Sequence, residues 1–555
     1  MLRNSWFCLF VLASFAHADD KMFSNPVIPG FAPDPSIERV GDDFYLINST
    51  FEYFPGIPVY HSTDLVNWEL ISYALNDSGQ LNLDTIGSGS GIHASTIRFH
   101  DGVFYIVTTN NIDGRLVNFI VTATDPRGPW SEPHVLEGAP GIDPSLLFDD
   151  GRVWYVGNHA PPDPAFVGEM EIWLQEVDIE RWALTGERYF LWRGCCQGVW
   201  AEGPHIYKKD GYYYLLISEG GTAYEHALSV AIATDIRGPY QNNPRNPILS
   251  HRQLSYDHPI TGVGHADFVE LADGRWYAMA LGWRLVDGLH GILGRETFLV
   301  PLTWETEPYW WKEPKYTWPV VSPETGRIEL RFALPFADRA QRALPDVNDE
   351  FDSAALGLEW NMRRTHEQPF HRLENGRLML ELGAGSIAEG ARYSFLGIRQ
   401  RGFEYAAETE LRFAAAGDNE EAGLTVIQND RSALVVSLRA GRLSLYHAED
   451  DKRRELASVP YAEESVRLRV EADYLEFRFL FAGPDDDWRV LAEEVDGTVL
   501  SPAVINGYNY TGLYIGPYAT ANGESSETEA EYEYLRYKGT ARSRDAWYER
   551  QVGAD

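Results

Sequence analysis

Pro29-Gly30-Phe31-Ala32-Pro33-Asp34-Pro35-Ser36 begins a pattern that returns four times along this chain. Asp34 stands between two prolines, and Tyr45 follows it eleven residues later, after an acidic turn. In four later segments an ionisable residue stands twelve positions before a tyrosine, and an Asp-Gly turn lies between them. These four pairs are His93 and Tyr105, Asp143 and Tyr155, Glu202 and Tyr214, and His265 and Tyr277. Each unit is typical of two short strands joined by a tight turn.

The five units recur about 50–60 residues apart, a period typical of propeller blades. A propeller arranges four-stranded sheets around a central channel, which the innermost strands line. Two later segments, 123–130 and 233–240, are near copies and fit the outer part of a blade. If each ionisable residue opens an innermost strand, all five converge on one mouth of the channel. The alternative is that each Asp only caps a turn, but an ionisable side chain in all five registers favours a shared site.

The rest of the chain divides by composition. Residues 1–18 have a positive start at Arg3, an apolar run and a small-x-small end, which predict a secretory signal peptide. We assign residues 19–304 to a five-bladed β-propeller and the Pro- and Trp-rich residues 305–345 to a linker. Short alternating strands in 346–540 predict an antiparallel β-sandwich, and 541–555 form a polar tail that we expect to be loosely held. The predicted fold class is therefore all-β.

The net charge of −35 disfavours nucleic acid as a partner, because it repels phosphate backbones. A neutral ligand such as a sugar suits this charge better. After the signal peptide no apolar run approaches the length of a membrane span. The chain is therefore expected to be exported, and the sequence leaves open whether it remains in the periplasm or becomes extracellular.

Two cysteines remain after the signal peptide, Cys195 and Cys196. Adjacent cysteines do not easily meet ordinary disulfide geometry, so we expect two small buried thiols. A strained bridge between them is the alternative in an oxidising compartment. No CxxC or nearby histidine spacing indicates a metal site.

Three of the five repeat positions are carboxylates: Asp34, Asp143 and Glu202. Carboxylates gathered at one mouth repel one another, which can leave one ionised and another protonated at neutral pH. Glycoside hydrolysis needs such a pair, since an acid protonates the departing oxygen and a carboxylate acts on the opposite side. The alternative is a calcium site, because clustered carboxylates also bind hard cations.

At these residues the sequence resembles the family 43 glycoside hydrolases, which are five-bladed β-xylosidases and α-L-arabinofuranosidases. The resemblance extends from about residue 24 to 320, and the second domain resembles the sandwich that accompanies one group of these enzymes. The segments that carry it are 25–36, 49–56, Gly141-Ile142-Asp143-Pro144-Ser145, 201–207, Gly264-His265-Ala266-Asp267 and Leu293-Gly294-Arg295-Glu296-Thr297.

The resemblance implies that Asp34 is the general base, that Glu202 is the general acid, and that Asp143 keeps the pKa of Glu202 raised. The family inverts configuration, so the base and the acid are expected to stand roughly 6.5–9.5 Å apart. Arg295 is expected to bind substrate hydroxyls and favour ionised Asp34. Phe51 is expected to form an apolar wall of the innermost sugar subsite. For Arg295 and Phe51, a structural ion pair and plain core are the alternatives.

The resemblance places His265 at the channel centre, bonded to a water or to a cation such as Ca²⁺; a satisfied core histidine is the alternative. Where relatives commonly carry an aromatic residue followed by Ala-Pro, this chain has His93-Ala94-Ser95. This departure puts the sugar preference in doubt. In relatives a sandwich loop closes the site with an aromatic, and Tyr510 is the candidate here.

The sequence thus predicts an exported, inverting exo-glycosidase that releases xylose, arabinofuranose or both from xylo- or arabinoxylo-oligosaccharides of hemicellulose. We expect no required cofactor, with Ca²⁺ at the channel centre as an option. The alternatives are a non-catalytic carbohydrate-binding propeller and a retaining fructan-active five-bladed enzyme. The choice between the two pentoses, the cation requirement and a homo-oligomeric state are left open.

Overall fold

The chain folds into a five-bladed propeller followed by a two-sheet sandwich, as a computed structural model shows. The structure describes residues 21–195, 198–256, 258–388, 390, 392–450, 452–505, 510–539 and 547. The predicted signal peptide lies outside these residues. A short 3-10 helix spans Gly497–Leu500. No helix within the described ranges is both long and apolar enough to cross a membrane.

Each blade is an antiparallel sheet whose first strand is innermost, and the five first strands contact one another around the channel. The strands, from the inside outwards, are Ser36–Val40, Asp43–Ile47, Gly56–Ser62 and Glu69–Leu75; Gly91–His100, Val103–Ile112, Arg115–Ala123 and His134–Val135; Ser145–Asp149, Arg152–His159, Glu171–Asp178 and Ala183–Trp192; Glu202–Lys209, Tyr212–Glu219, Ala227–Ala233 and Gln241–Asn242, with Leu249–Ser250 beside the third; and Ile260–Glu270, Trp276–Arg284, Arg295–Thr306 and Thr317–Val321.

The four repeated Asp-Gly turns join the first two strands of the second to fifth blades. In the second blade Asp101 and Gly102 both have positive φ, 48° and 82°. This is the conformation of the hairpin turn that matches the twist of the strands and favours Asp-Gly. The same pair of positive angles occurs at Asp150-Gly151 and Asp210-Gly211.

Below its mouth the channel is filled by a buried polar network. Arg98 donates to both carboxylate oxygens of Asp267, at 2.8 and 3.2 Å. Tyr207 and Ser36 donate to the same carboxylate at 2.6 and 2.7 Å. These four residues come from the inner strands of four different blades, so the network fixes those strands relative to one another.

The sandwich consists of two eight-stranded antiparallel sheets. The strands of the first sheet are His371–Glu374, Arg377–Glu381, Glu529–Lys538, Glu404–Arg412, Ser465–Asp473, Glu476–Ala482 and Arg489–Asp496, with Val347–Asp349 beside the third. The strands of the second are Lys452–Pro460, Arg442–Glu449, Ser432–Arg439, Glu421–Asn429, Tyr514–Thr520, Ser394–Arg399, Trp360–Arg363 and Tyr53–Phe54. Glu404–Arg412 alternates partly and fully buried residues, as expected for a strand with one face on the core.

The two domains share one sheet, because Tyr53–Phe54 of the propeller pairs with Trp360–Arg363 of the sandwich. Two fully buried ion pairs also lie at this junction. Arg363 donates to Glu52 at 3.1 Å, and Arg284 binds both oxygens of Glu296 at 2.6 and 2.8 Å. The backbone N–H of Gly30 donates to Glu296 at 2.7 Å.

Three expectations differ from the structure. The segment expected to be a linker supplies the outer strand of the fifth blade, since Thr317–Val321 pairs with Arg295–Thr306. In the segment expected to be a loose tail, Trp547 is fully buried and donates to the carbonyl of Leu285 at 3.3 Å. Cys195 is buried as expected but is disulfide-bonded, whereas a free thiol was expected; Cys196 lies outside the described residues.

Candidate active site

A cavity of about 390 Å³ lies at the mouth of the propeller channel. All five repeat positions line it, together with three other residues singled out in the sequence. The eight are Asp34, Phe51, His93, Asp143, Glu202, His265, Arg295 and Tyr510. Tyr510 comes from the sandwich and the other seven from the propeller, so the two domains build the cavity together.

Three of the repeat residues share an unusual backbone conformation, two of them just before an inner strand and the third within one. Asp34, Asp143 and His265 all have left-handed backbone, with φ of 51°, 53° and 40°. Each such residue costs roughly 1–3 kcal/mol, and such strain clusters at functional sites. Three equivalent strained positions around one cavity therefore point to a site rather than to ordinary turns.

Asp34 is buried and surrounded by donors. Arg295 donates to its Oδ1 at 3.0 Å, and the Ser49 hydroxyl donates to its Oδ2. Burial alone would raise the pKa of Asp34, but the positive charge of Arg295, with His265 and the Ser49 hydrogen bond, outweighs it and lowers the pKa. Asp34 is therefore ionised over most of the pH range.

The pKa values of Asp143 and Glu202 are raised, whereas that of Asp34 is lowered. Burial raises the pKa of Glu202 to about 7, and the negative charge of Asp34 adds to this rise. Burial and the charge of Glu202 raise the pKa of Asp143 well above its usual value. Because these two carboxyls repel each other when both are charged, the pair retains a proton near neutral pH. One cavity thus contains an ionised carboxylate and a proton-carrying pair.

A neutral histidine lies behind this pair. His226 is fully buried and its Nδ1 donates to the carbonyl of Gly262 at 3.2 Å. Burial lowers the pKa of His226 to about 3, so its Nε2 carries a lone pair. That nitrogen lies 3.7 Å from Glu202 Oε1, which suits a Glu202 that holds a proton.

Asp143, Glu202 and His265 also offer ligand atoms within 4.8 Å of one another. Calcium takes six to eight oxygen ligands, whereas this set supplies two carboxylates and one imidazole. A calcium ion there would draw most of its ligands from water, and it would require both carboxyls to lose their protons. The donor set therefore fits proton transfer better than calcium.

Aromatic and cationic side chains form one wall of the cavity. The ring of Tyr510 stacks on Phe51, with centroids 5.3 Å apart and planes 13° apart. The guanidinium of Arg295 lies 5.4 Å from each of these two rings. His93 contacts the edge of this wall, its ring 5.1 Å from that of Phe51. Burial lowers the pKa of His93 to about 4, so it offers a neutral imidazole.

Several residues of the site were not predicted from the sequence. Trp200, Thr222 and Glu225 line the cavity, and Thr222 accepts a hydrogen bond from Arg295 at 3.2 Å. Trp200 stands only two positions before Glu202, which is a signal that the motif itself carried. Thr222 and His226 lie between the second and third strands of the fourth blade, and only the fold brings them to the carboxylates.

Comparison with known proteins identifies the class to which this fold and site belong. Residues 23–308 match the family "Glycosyl hydrolases family 43", and residues 348–538 match "Beta xylosidase C-terminal Concanavalin A-like domain". The chain is 39% identical to a xylosidase/arabinosidase of Butyrivibrio fibrisolvens over 92% of this chain and 98% of that protein. It is 35% identical to a non-reducing end alpha-L-arabinofuranosidase of Bacteroides ovatus over 97% of this chain and 99% of that protein.

Solved structures agree with this class. The fold matches that of a xylan beta-1,4-xylosidase from Bacillus halodurans with a TM-score of 0.85 and 31% identity, over 93% of this chain and all of that chain. The protein is a glycoside hydrolase. It belongs to glycosyl hydrolase family 43 and carries the C-terminal sandwich domain of β-xylosidases.

Proposed function

We propose that this protein is an exported, inverting exo-glycosidase that releases xylose, arabinofuranose or both from hemicellulose oligosaccharides. The observation that carries the proposal is the pairing of ionised Asp34 with the proton-carrying Asp143 and Glu202 in one cavity. The names of the relatives, xylosidase/arabinosidase and arabinofuranosidase, support pentoses as the released sugars. Tyr510 covers one side of the cavity, which supports action at chain ends rather than along a polymer.

Asp34 acts in this proposal as the general base. Its carboxylate takes a proton from a water molecule, whose oxygen forms a bond to the anomeric carbon. The glycosidic C–O bond breaks as Glu202 gives its proton to the departing oxygen. Asp143 maintains the raised pKa of Glu202 and orients its carboxyl group.

Arg295 is well placed to bind the sugar. It is buried, yet its Nε and Nη2 have no hydrogen-bond partner among the described residues. Buried donors are normally satisfied, so substrate hydroxyls are suitable partners. Phe51 supplies an apolar wall beside it, and His93 adds a small polar edge. In this assignment His265 holds a water at the channel centre.

The experiment that tests the proposal compares turnover of 4-nitrophenyl β-D-xylopyranoside and 4-nitrophenyl α-L-arabinofuranoside. Proton NMR of the first product from the preferred natural disaccharide then reports the mechanism. Inversion yields α-xylose from a β-xyloside, and retention yields β-xylose. No turnover of either glycoside would favour a non-catalytic binding propeller, and retention would favour the fructan-type alternative.

The pKa shifts predict the pH dependence of kcat/KM, which reports the free enzyme. The base must be ionised, and the lowered pKa of Asp34 places the acidic limb below its usual value of 3.8. The acid must be protonated, so activity falls as the pH rises through about 7. Asp143→Asn removes the second carboxyl of this coupled pair, so Glu202 would ionise without another carboxylate beside it, and the alkaline limb should move to lower pH. An unchanged alkaline limb would contradict the role of Asp143.

Tyr510→Ala should lower kcat/KM roughly two- to tenfold, because it removes an aromatic stack worth about 0.5–1.5 kcal/mol. Tyr510→Phe is the matched control, since it keeps the ring on Phe51. Steady-state kinetics on the preferred disaccharide checks this. Equal losses of kcat/KM in Tyr510→Ala and Tyr510→Phe would contradict a contribution of the ring stack to activity.

Dialysis against EDTA should leave kcat/KM within about twofold of the untreated value. A cation held by Asp143 and Glu202 would require both to be deprotonated, and the acid would be lost. Activity that disappears with EDTA and returns with Ca²⁺ would instead assign a calcium ion to the channel centre.

We further propose export through the segment 1–18, which lies outside the described residues. Its charged start, apolar run and Ala16-His17-Ala18 end support this. Amino-terminal sequencing of the protein recovered outside the cytoplasm should begin at residue 19.

A further inference from the structure

Trp200 is a large aromatic residue at the open side of the cavity. It lines the cavity and is nevertheless 42% exposed. The chain around it is also apolar and exposed, since Val167 on the adjoining loop is 88% exposed. Arg295, Phe51 and His93 are assigned to the released pentose, and the indole of Trp200 has no part in that assignment.

Two glycines fix the ring in place. A Cβ on Gly168 would lie 2.8 Å from the indole, and a Cβ on Gly221 would lie 3.0 Å from its six-membered ring. Only glycine permits such close approach without displacing the indole. The backbone N–H of Trp200 also donates to the carbonyl of Gly168 at 2.6 Å. Backbone from the third and fourth blades therefore holds the indole in a defined position.

The backbone of Trp200 is itself strained, with φ of 51°. Left-handed backbone is a genuine outlier for a bulky residue, and it costs roughly 1–3 kcal/mol. The surrounding contacts thus impose one orientation on a ring that is open to the cavity. Such a ring is pre-organised to receive a ligand.

The position of Trp200 relative to Glu202 indicates which part of the ligand it meets. Residues two apart have Cα atoms no more than about 7 Å apart. Glu202 gives its proton to the departing oxygen in the proposed reaction, so the leaving group lies on the Glu202 side. The released sugar lies toward Asp34, Arg295 and Phe51. Trp200 therefore borders the space that the leaving group occupies.

We propose that Trp200 is the stacking platform for the sugar of the leaving group, and that it selects substrates whose cleaved bond joins a pyranose ring. This proposal rests on the proposed function. An aromatic face is electron-rich, and the C–H face of an equatorially substituted pyranose such as xylose is apolar and flat enough to cover it. Glu225, which also lines the cavity, supplies a polar group for that sugar's hydroxyls.

The test compares a substrate that has a leaving-group sugar with one that has none. The pair is xylobiose and β-D-xylopyranosyl fluoride, or the arabinofuranosyl-xylobiose and α-L-arabinofuranosyl fluoride pair if arabinofuranose is released. In Trp200→Ala the ratio of kcat/KM on the oligosaccharide to kcat/KM on the fluoride should fall at least tenfold, which corresponds to about 1.4 kcal/mol. Trp200→Phe should recover part of that ratio, because it keeps an aromatic face.

The matched control is Trp310→Ala, which removes an 83% exposed tryptophan from the hairpin of the fifth blade. It should leave the ratio at the wild-type value. Equal losses on both substrates, or no loss on the oligosaccharide, would overturn the platform at Trp200. A wild-type enzyme that cleaves neither member of either pair would overturn the proposed function, and this subsite with it.

Discussion

Glu202→Gln should lower kcat/KM on the preferred disaccharide by roughly 10²–10⁴-fold, the range that a positioned acid or base contributes. Glutamine keeps the shape of the side chain but has no proton to give to the departing oxygen. The loss should be smaller with a 4-nitrophenyl leaving group, because that oxygen departs with little protonation. Steady-state kinetics on both substrates measures this difference.

Asp34→Asn is the companion variant. The fall in kcat/KM that it causes should be similar for the disaccharide and the 4-nitrophenyl glycoside, because the base acts on water and not on the departing oxygen. Glu270→Gln, at the exposed end of the inner strand that carries His265, is the matched control and should retain wild-type activity. Equal leaving-group dependence in Glu202→Gln and Asp34→Asn would contradict the assignment of acid and base.

Arg284→Met should lower the free energy of unfolding by about 3–5 kcal/mol, the usual result of leaving one partner of a buried ion pair uncompensated. Arg284 and Glu296 are both fully buried. The guanidinium of Arg284 also lies 5.1 Å from the rings of Phe403 and Trp547. The midpoint of urea unfolding, with its slope, measures the change.

The double variant Arg284→Met with Glu296→Gln should recover part of this loss. Glutamine removes the unpaired charge but keeps an oxygen for the backbone N–H of Gly30. Arg245→Met is the control, because its partner Glu305 is about half exposed and such a pair contributes about 0–1 kcal/mol. A similar loss in Arg284→Met and Arg245→Met would show that burial of the pair is not decisive.

Much of the fold could be predicted from the sequence. Spacing from an ionisable residue to a tyrosine, with an Asp-Gly turn between them, predicted the blades, and the all-β propeller with a sandwich is confirmed. Such hairpins are local, because a two-residue turn and alternating strands specify their own pairing. The resemblance to family 43 is likewise confirmed by the match over residues 23–308.

Other features depend on contacts between segments far apart in the chain. The fourth strand of the last blade, Thr317–Val321, was assigned to a linker, because a Pro- and Trp-rich stretch shows no strand pattern by itself. Trp547 was placed in a loose tail, yet its ring packs on Phe403 from the sandwich. No local signal shows which distant surface will bury a single tryptophan.

By itself, the sequence determined the five-fold repeat and the three carboxylates Asp34, Asp143 and Glu202, because repeat spacing and residue type are local properties. Only the tertiary structure decided their protonation. Arg295, 261 residues from Asp34, makes that carboxylate ionised, while burial keeps a proton on the other pair. The tertiary structure also decided that Tyr510 covers Phe51 and that Gly168 and Gly221 hold Trp200. Electrostatic fields and close packing depend on distance in space and not on distance along the chain.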